Sequence, residues 1–268
     1  MTALSYSKFI ALIPGPYYKC VDDNLKSDFH DLKIGVNICT NDFIISNSYY
    51  SGGLYFVPAS KLYTKIHFGS LIMEIILCDD AVFYFDEKYK IYKTNKFIMK
   101  NHSTRTDFLK NNDNCINVLN YDALNLRFIE NQTYEICLLA VRNWGIAIKF
   151  VKLNQTEELC WEALKHTTRS IKYIIKQTYD MCLYAIKNDP YLITYINNPT
   201  IELCKLALDL EPCTISNMKQ NEELCKYAVA KNGLLLERVK QQTVNICRIA
   251  INQNINAKKM ANPLFINV

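Results

Sequence analysis

The sequence predicts an α+β chain: a small N-terminal, mainly antiparallel sheet domain followed by an α-solenoid of about six to seven 22-residue helix-pair repeats. Three observations predict it. The second half carries a cysteine-marked repeat. The first hundred residues carry short β-branched and aromatic runs broken by Gly and Asp. The composition is that of a folded chain, with half of the 268 residues apolar, 21% charged, and only seven Gly and seven Pro. The expected boundaries are 1–105 for the sheet domain, 106–264 for the repeats and 265–268 for a tail.

In the first segment, residues 54–57, 71–77, 81–85 and 90–92 read as strands, punctuated by Gly52-Gly53, Asp79-Asp80 and Asp86-Glu87. Residues 17–21 form a further strand candidate. Residues 59–66 suit a short helix with Ser60 as its cap. The boundary is expected within 101–107, where His102-Ser103-Thr104 interrupts the apolar pattern.

The second segment is organised by its cysteines. Cys137, Cys160, Cys182, Cys204, Cys225 and Cys247 recur at a nearly constant interval, the mark of a repeat architecture. Three residues after each stands an alanine: Ala140, Ala163, Ala185, Ala207, Ala228 and Ala250. Four before stands Thr133, Thr156, Thr178, Thr200, Asn221 or Thr243, a residue suited to cap a helix N-terminus. An acid two places after the cap, such as Glu158 or Glu202, favours the positive end of the helix dipole. Leu, Cys, Ala and the next apolar residue then fall on one helical stripe. Breakers follow, as at Asn188-Asp189-Pro190 and Asn232-Gly233. A second short helix is expected next, its apolar pair at a fixed place in each copy (Ile148 and Val151 after Cys137, Ile171 and Ile174 after Cys160). In the last copy these places hold Lys258 and Ala261, which suits an array's polar end. Cys115, one repeat length before Cys137, marks a worn first copy. Each unit gives a helix of about ten residues and one of about seven, too short to persist alone. Stacking must supply the core.

The repeat accounts for seven of the eleven cysteines as small, reduced, inward-facing hydrophobes. Cys20, Cys39, Cys78 and Cys213 have no place in it, and Cys213 is expected at the surface. An odd count without any Cys-x-x-Cys pair speaks against a disulfide framework or a zinc ribbon.

The stretch Gly35-Val36-Asn37, Phe43, Gly52-Gly53-Leu54-Tyr55-Phe56, Gly69, Ile72, Glu74, Ile76 and Asp80-Ala81-Val82 resembles an N-terminal domain of mimivirus-like giant-virus proteins, where it often precedes ankyrin repeats. The Thr-x-Glu-Leu-Cys-x-x-Ala unit is similar to a short helical repeat of unknown function, also frequent in such viruses. The resemblance covers nearly the whole chain. It implies a viral origin and brings no established activity with it. A residue background rich in Asn, Ile, Lys and Tyr agrees with an A/T-rich genome.

A second, shorter resemblance links Gly53-Leu54-Tyr55-Phe56 to the Gly-Ile-Tyr-Phe segment of ADP-ribosyltransferases, where the tyrosine stacks on nicotinamide. The early strand here, Tyr17-Tyr18-Lys19-Cys20, lacks the histidine of that family, and only Glu74 and Glu87 offer a glutamate. The plainer reading is a glycine turn followed by a strand with Tyr55 and Phe56 on opposite faces. His30, His67, His102 and His166 share no ligand spacing, and no phosphate loop or nucleophile elbow occurs. No cofactor or metal is expected. Asn131-Gln132-Thr133 and Asn154-Gln155-Thr156 fit a glycosylation pattern but read better as helix starts. Lys152, Lys176, Lys219 and Lys240 recur near second-helix ends; placement at the negative end of the helix dipole is the preferred reading, and a phosphate-binding ladder the alternative.

A net charge of +5 is too small to demand nucleic acid, and no nucleic-acid partner is expected. No apolar run reaches the roughly 18–20 residues that cross a bilayer, and 9–14 is too short for a secretory signal. Within the repeats, Trp161, Tyr184 and Tyr227 occupy positions that vary between copies, and aromatic residues dominate interface hot spots. The leading expectation is a non-enzymatic protein–protein interaction protein of a giant virus, with an unidentified viral or host protein as partner and no membrane. It would act in the cytoplasm or virus factory of the infected host, or in the virion, and would not be secreted. The alternatives are an ADP-ribosyltransferase-like, possibly inactive, domain targeted by the solenoid, and a structural virion component. The sequence leaves the oligomeric state open.

Overall fold

A computed structural model describes residues 3–27, 30–39, 52–86 and 90–265 of the chain. It is an α+β structure, an antiparallel sheet region followed by a run of helices. The chain divides into two compact units, 1–139 and 140–268.

The strands of the first unit are β1 (Tyr17–Val21), β2 (Lys26–Ser27), β3 (His30–Asp31), β4 (Gly35–Ile38), β5 (Leu54–Tyr55), β6 (Val57–Pro58), β7 (Leu71–Leu77), β8 (Phe83–Asp86), β9 (Ile91–Thr94) and β10 (Lys96–Thr104). They form a five-stranded sheet in the order β4-β10-β7-β1-β6, a three-stranded sheet β5-β9-β8, and the pair β2-β3, with every pairing antiparallel. The run from Leu54 onward is therefore two short strands in different sheets, divided at Phe56. Tyr55 and Phe56 are both buried. Phe56 joins an aromatic core with Tyr17 (5.5 Å, edge-on) and Phe9 (5.7 Å), and Phe9 stacks on Phe83 at 4.9 Å. Phe9 is the buried residue of α1 (Tyr6–Leu12).

Two other expectations shift. His102-Ser103-Thr104 continues β10 rather than interrupting the strand, because Thr104 still pairs with Leu71 beyond a register shift between Met99 and His102, and the last strand ends at Thr104. The polar residues there sit on an exposed stretch. Residues 59–66 form two 3-10 helices, η1 (Ala59–Thr64) and η2 (Ile66–Phe68), and η1 is preceded by Pro58 with no cap from Ser60. Phe43 and Glu87 lie outside the described residues.

After the short α2 (Arg105–Phe108), α3 (Asn112–Tyr121) and η3 (Ala123–Phe128) form the worn first copy, which packs within the same unit as the sheets. Tyr63 of η1 meets Tyr121 edge-on at 5.6 Å. Arg105 donates to the carbonyl of Gly69 (3.1 Å) and lays its guanidinium over Phe128 (3.9 Å).

The helices that follow are α4 (Tyr134–Asn143), α5 (Glu157–His166), α6 (Tyr179–Asn188), α7 (Ile201–Leu210), α8 (Glu222–Lys231) and α9 (Val244–Gln253). Thr156, Thr178, Thr200, Asn221 and Thr243 each accept a hydrogen bond from the N–H three residues on, as caps should. The stripe is buried as patterned: Leu159, Cys160, Ala163 and Leu164 are the buried residues of α5, and Leu203, Cys204, Ala207 and Leu208 those of α7.

The second helix is not α but 3-10: η4 (Gly145–Phe150), η5 (Thr168–Tyr173), η6 (Pro190–Tyr195), η7 (Pro212–Asn217), η8 (Gly233–Arg238) and η9 (Ile255–Lys259), with η10 (Pro263–Phe265) last. One residue makes the switch. Trp144, Thr167, Asp189, Glu211, Asn232 and Asn254 all stand extended, with φ between −153° and −148°. The N–H of each closes its α-helix on the carbonyl of the repeat alanine, as in Asp189 to Ala185 at 2.9 Å. Where the residue is Asp, Glu or Asn, its side chain also accepts from the N–H two residues on, satisfying the first turn of the 3-10 helix. Six residues is beyond the usual length of 3-10 geometry, so these helices rely on their neighbours. In the last copy Ala257 and Ala261 are buried and Lys258 is exposed.

At four places a glutamine stitches one helix pair to the next. Gln177 donates from Nε2 to the carbonyls of Ile171 (2.9 Å) and Tyr195 (2.8 Å), while its Oε1 accepts from Asn197 N–H at 2.8 Å. Gln155, Gln220 and Gln242 make the same links in their own copies, reaching Tyr173 and Ile175, Arg238 and Lys240, and Met260 and Asn262. One primary amide thus satisfies three backbone groups in two turns. The thiol joins in: Cys225 and Cys247 donate to the Oε1 of Gln220 and Gln242 at 3.8 and 3.5 Å. Pro199 stands where a further glutamine of this kind would be, between η6 and α7. In the turn it would have served, Met218 lies at φ −127°, ψ 165°, whereas Ile174, Ile196 and Val239 lie within −79° to −88° and 116° to 126°.

The glutamine and the close approach of successive pairs can be tested separately. Gln177→Ala strips partners from three backbone groups, so at about 1 kcal/mol each the variant should lose about 2–3 kcal/mol in denaturant unfolding; an unchanged midpoint would show that water replaces the amide without loss. Gly233 admits the next helix so closely that a Cβ there would lie 2.3 Å from the Ala250 carbonyl oxygen. Gly233→Ala should therefore destabilise by about 1–3 kcal/mol on chemical denaturation, and a stabilised variant would mean that the pair can separate freely.

Candidate functional site

The thiols come first, because eleven cysteines invite a chemical role. All seven repeat cysteines are buried, as is Cys20, while Cys39, Cys78 and Cys213 are half-buried. Cys213 is thus less exposed than its place outside the register suggested. Burial raises the thiol of Cys137 to about 11 and that of Cys20 to about 12, and it pushes Cys160, Cys182 and Cys204 upward as well. A thiol held above its ordinary value carries little thiolate at neutral pH, and the thiolate is the nucleophile and metal ligand. Among the described residues, no group of three His, Cys, Asp or Glu side chains could hold a metal ion.

The residues of the short ADP-ribosyltransferase likeness do not come together. Gly52 and Gly53 both stand at positive φ (58° and 116°), a conformation glycine adopts without strain. Tyr55 is buried on β5, and the Lys93 ammonium lies 5.9 Å from its ring centre. Lys93 is itself fully buried, and burial lowers its pKa. Glu74 lies on β7 of the other sheet, paired with Tyr18 of β1.

The α-helix side of the repeats holds the predicted aromatic residues. Trp161, Tyr184 and Tyr227 are each half-buried, one per helix on α5, α6 and α8. Trp161 meets Tyr184 of the next copy edge-on, 5.7 Å between ring centres at 78°, so the structure brings these two together. Tyr227 stands apart from them. Its hydroxyl donates to Asp209 of the preceding copy at 2.7 Å, and Lys205 and Lys231 lie 5.6 and 5.1 Å from its ring centre. Lys231 and Tyr227 hold the Asp209 carboxyl below its usual range. The charges around these rings are matched: Arg142 pairs with Glu162 (3.0 Å), Lys205 with Glu223 (2.6 Å) and Lys226 with Glu222 (2.8 Å). Such partly exposed pairs add little stability. They leave a surface of half-buried aromatic residues ringed by self-neutralised charge.

Two features of the repeat have no counterpart in the expected motif. One is the glutamine before every cap from Thr133 on but Thr200, which Pro199 precedes. The other, confined to the early copies, is a basic–aromatic pair at a constant distance beyond the cysteine: Lys149 and Phe150 after Cys137, then Lys172 and Tyr173 after Cys160. Both would emerge from aligning the copies over their full length rather than over the short motif alone.

The burial of the repeat thiols has a direct check. Counting thiols with a chromogenic disulfide reagent on the native chain should register at most Cys39, Cys78 and Cys213, with the rest reacting only after denaturant is added. Fast native reaction of more than three would mean that the helix pairs open readily. No known protein family matches the chain, and no curated protein or solved structure is similar to it.

Proposed function

We propose that the chain is a non-enzymatic interaction protein whose helix pairs form a solenoid, and that it binds a protein partner on the α-helix side of the repeats. One observation carries the reading. The repeated chemistry is consumed by packing, with thiols and alanines buried, whereas the variable positions place Trp161, Tyr184 and Tyr227 half-exposed among paired charges. Aromatic anchors ringed by near-neutral contacts are the usual composition of a protein-binding hot spot. The sheet region is a second module at the start of the array. The giant-virus origin rests on the sequence resemblance, and it makes an infected-cell or viral protein the natural partner.

The test is affinity capture from infected host cells with the wild-type chain and with the Trp161→Ala, Tyr184→Ala double variant, both first shown to be folded by circular dichroism. The variant should lose at least about 10-fold of the recovery of a specific partner, in keeping with hot-spot losses of about 2 kcal/mol or more. Equal recovery by both proteins would overturn the assignment of this surface.

A further inference from the structure

From η4 to η6 the 3-10 side of the repeats presents cations that hold no carboxylate among the described residues, unlike the α-helix side. Lys149 lies 5.5 Å from the ring centre of Phe150 in its own copy and 5.6 Å from that of Tyr173 in the next. Lys172 repeats this one copy on, 5.7 Å from Tyr173 and 5.0 Å from Tyr195. The result is a ladder in which cation and ring alternate across η4, η5 and η6. Arg169 and Lys172 line, with Tyr173, Tyr191 and Tyr195, an open groove of about 460 Å³. The single carboxylate in that lining, Asp189, is engaged by the Tyr191 N–H at 3.0 Å.

The sequence around these cations offers no counter-charge. The segments 145–156 and 168–178 contain no Asp or Glu. On the α-helix side Arg142, Lys165, Lys205, Lys226 and Lys231 all hold carboxylates. Among the described residues, Lys149, Arg169 and Lys172 hold none, and all three are exposed. A net charge of +5 conceals this segregation, because it averages a matched face with an unmatched one.

An unmatched row of cations interleaved with aromatic rings is complementary to a chain that alternates negative charge with flat π-surfaces. We propose that this side of the repeats binds single-stranded nucleic acid, with phosphates on Lys149, Arg169 and Lys172 and bases stacking on Tyr173, Tyr191 and Tyr195. An acidic peptide would satisfy the cations but would leave the succession of rings without a matching surface. A duplex would hide its bases from them. Base stacking on aromatic side chains is tolerant of sequence, so the site is read as one for strands rather than for a particular sequence.

The experiment is fluorescence anisotropy of a short labelled oligouridylate titrated with the full chain over a range of salt, with the same-length duplex and polyglutamate as competitors. Two to three phosphate contacts at a slope of about −0.7 each predict that log K falls with log salt at a slope of about −1.5 to −2. The Arg169→Gln, Lys172→Gln double variant should flatten that slope by about 1.4. Tyr173→Ala with Tyr195→Ala should cut affinity at least about 10-fold at unchanged slope, since a stacked base is worth about 1–3 kcal/mol. Tyr173→Phe with Tyr195→Phe should restore it. Absence of binding at low salt overturns the proposal. So does duplex binding as tight as single-strand binding, or polyglutamate competing as well as the oligonucleotide, which would assign the face to an acidic protein. The Trp161 and Tyr184 changes lie on the other side of the helix pairs, so this result and that of the capture experiment are independent.

Discussion

The backbone of the turns is the constraint on which the helical half depends. An α-helix as short as these leaves its terminal N–H and C=O groups without partners, and a 3-10 helix directly after it adds more of them over a short distance. Each repeat therefore brings an unusual density of polar backbone into close packing. The structure meets the demand in three places. Thr or Asn caps the α-helix, one extended residue closes that helix on the alanine carbonyl, and a glutamine serves two turns at once. Apolar burial of the Leu-Cys-Ala stripe drives the stacking, but the glutamines determine where one pair sits on the next.

This accounts for the residue types at the repeat positions. Cysteine is small enough for the stripe, and its weak S–H donor reaches the glutamine oxygen, which alanine or valine would not do. Alanine lets the extended residue approach its carbonyl. The chemistry of the seven repeat thiols is thereby traded for packing, and the surface is left to other side chains.

The repeat period, the caps and the buried stripe were legible because each rests on local chemistry at fixed spacing. Ser60 misled because η1 starts from Pro58, whose fixed φ does without a side-chain cap. The 3-10 character of the second helix was not legible, since an apolar pair three residues apart suits either helix type. Only the extended φ of residues such as Asp189 and Glu211 decides it. β10 was missed for a tertiary reason: His102, Ser103 and Thr104 are polar and exposed, and pairing with β7 alone keeps them in the sheet. The split of 54–58 between two sheets has the same cause, as nothing local marks Phe56 as a crossing point. At the candidate surfaces, Trp161 and Tyr184 stood out by varying against a constant background. The lysine ladder did not, because its meaning lies in distances between successive copies and in the absence of acids around it.

Pro199 carries a consequence of its own. In a stack where each pair touches chiefly its neighbours, stability is a sum of pairs and of the couplings between them. Gln155, Gln177, Gln220 and Gln242 each carry an amide from one 3-10 turn to the next, but the coupling from η6 to η7 has proline in that place. Cooperativity is thus unevenly distributed along the array. Opening that begins at the C-terminal end can stop at this seam, releasing α7, α8 and α9 as one block while α5 and α6 keep their turns protected.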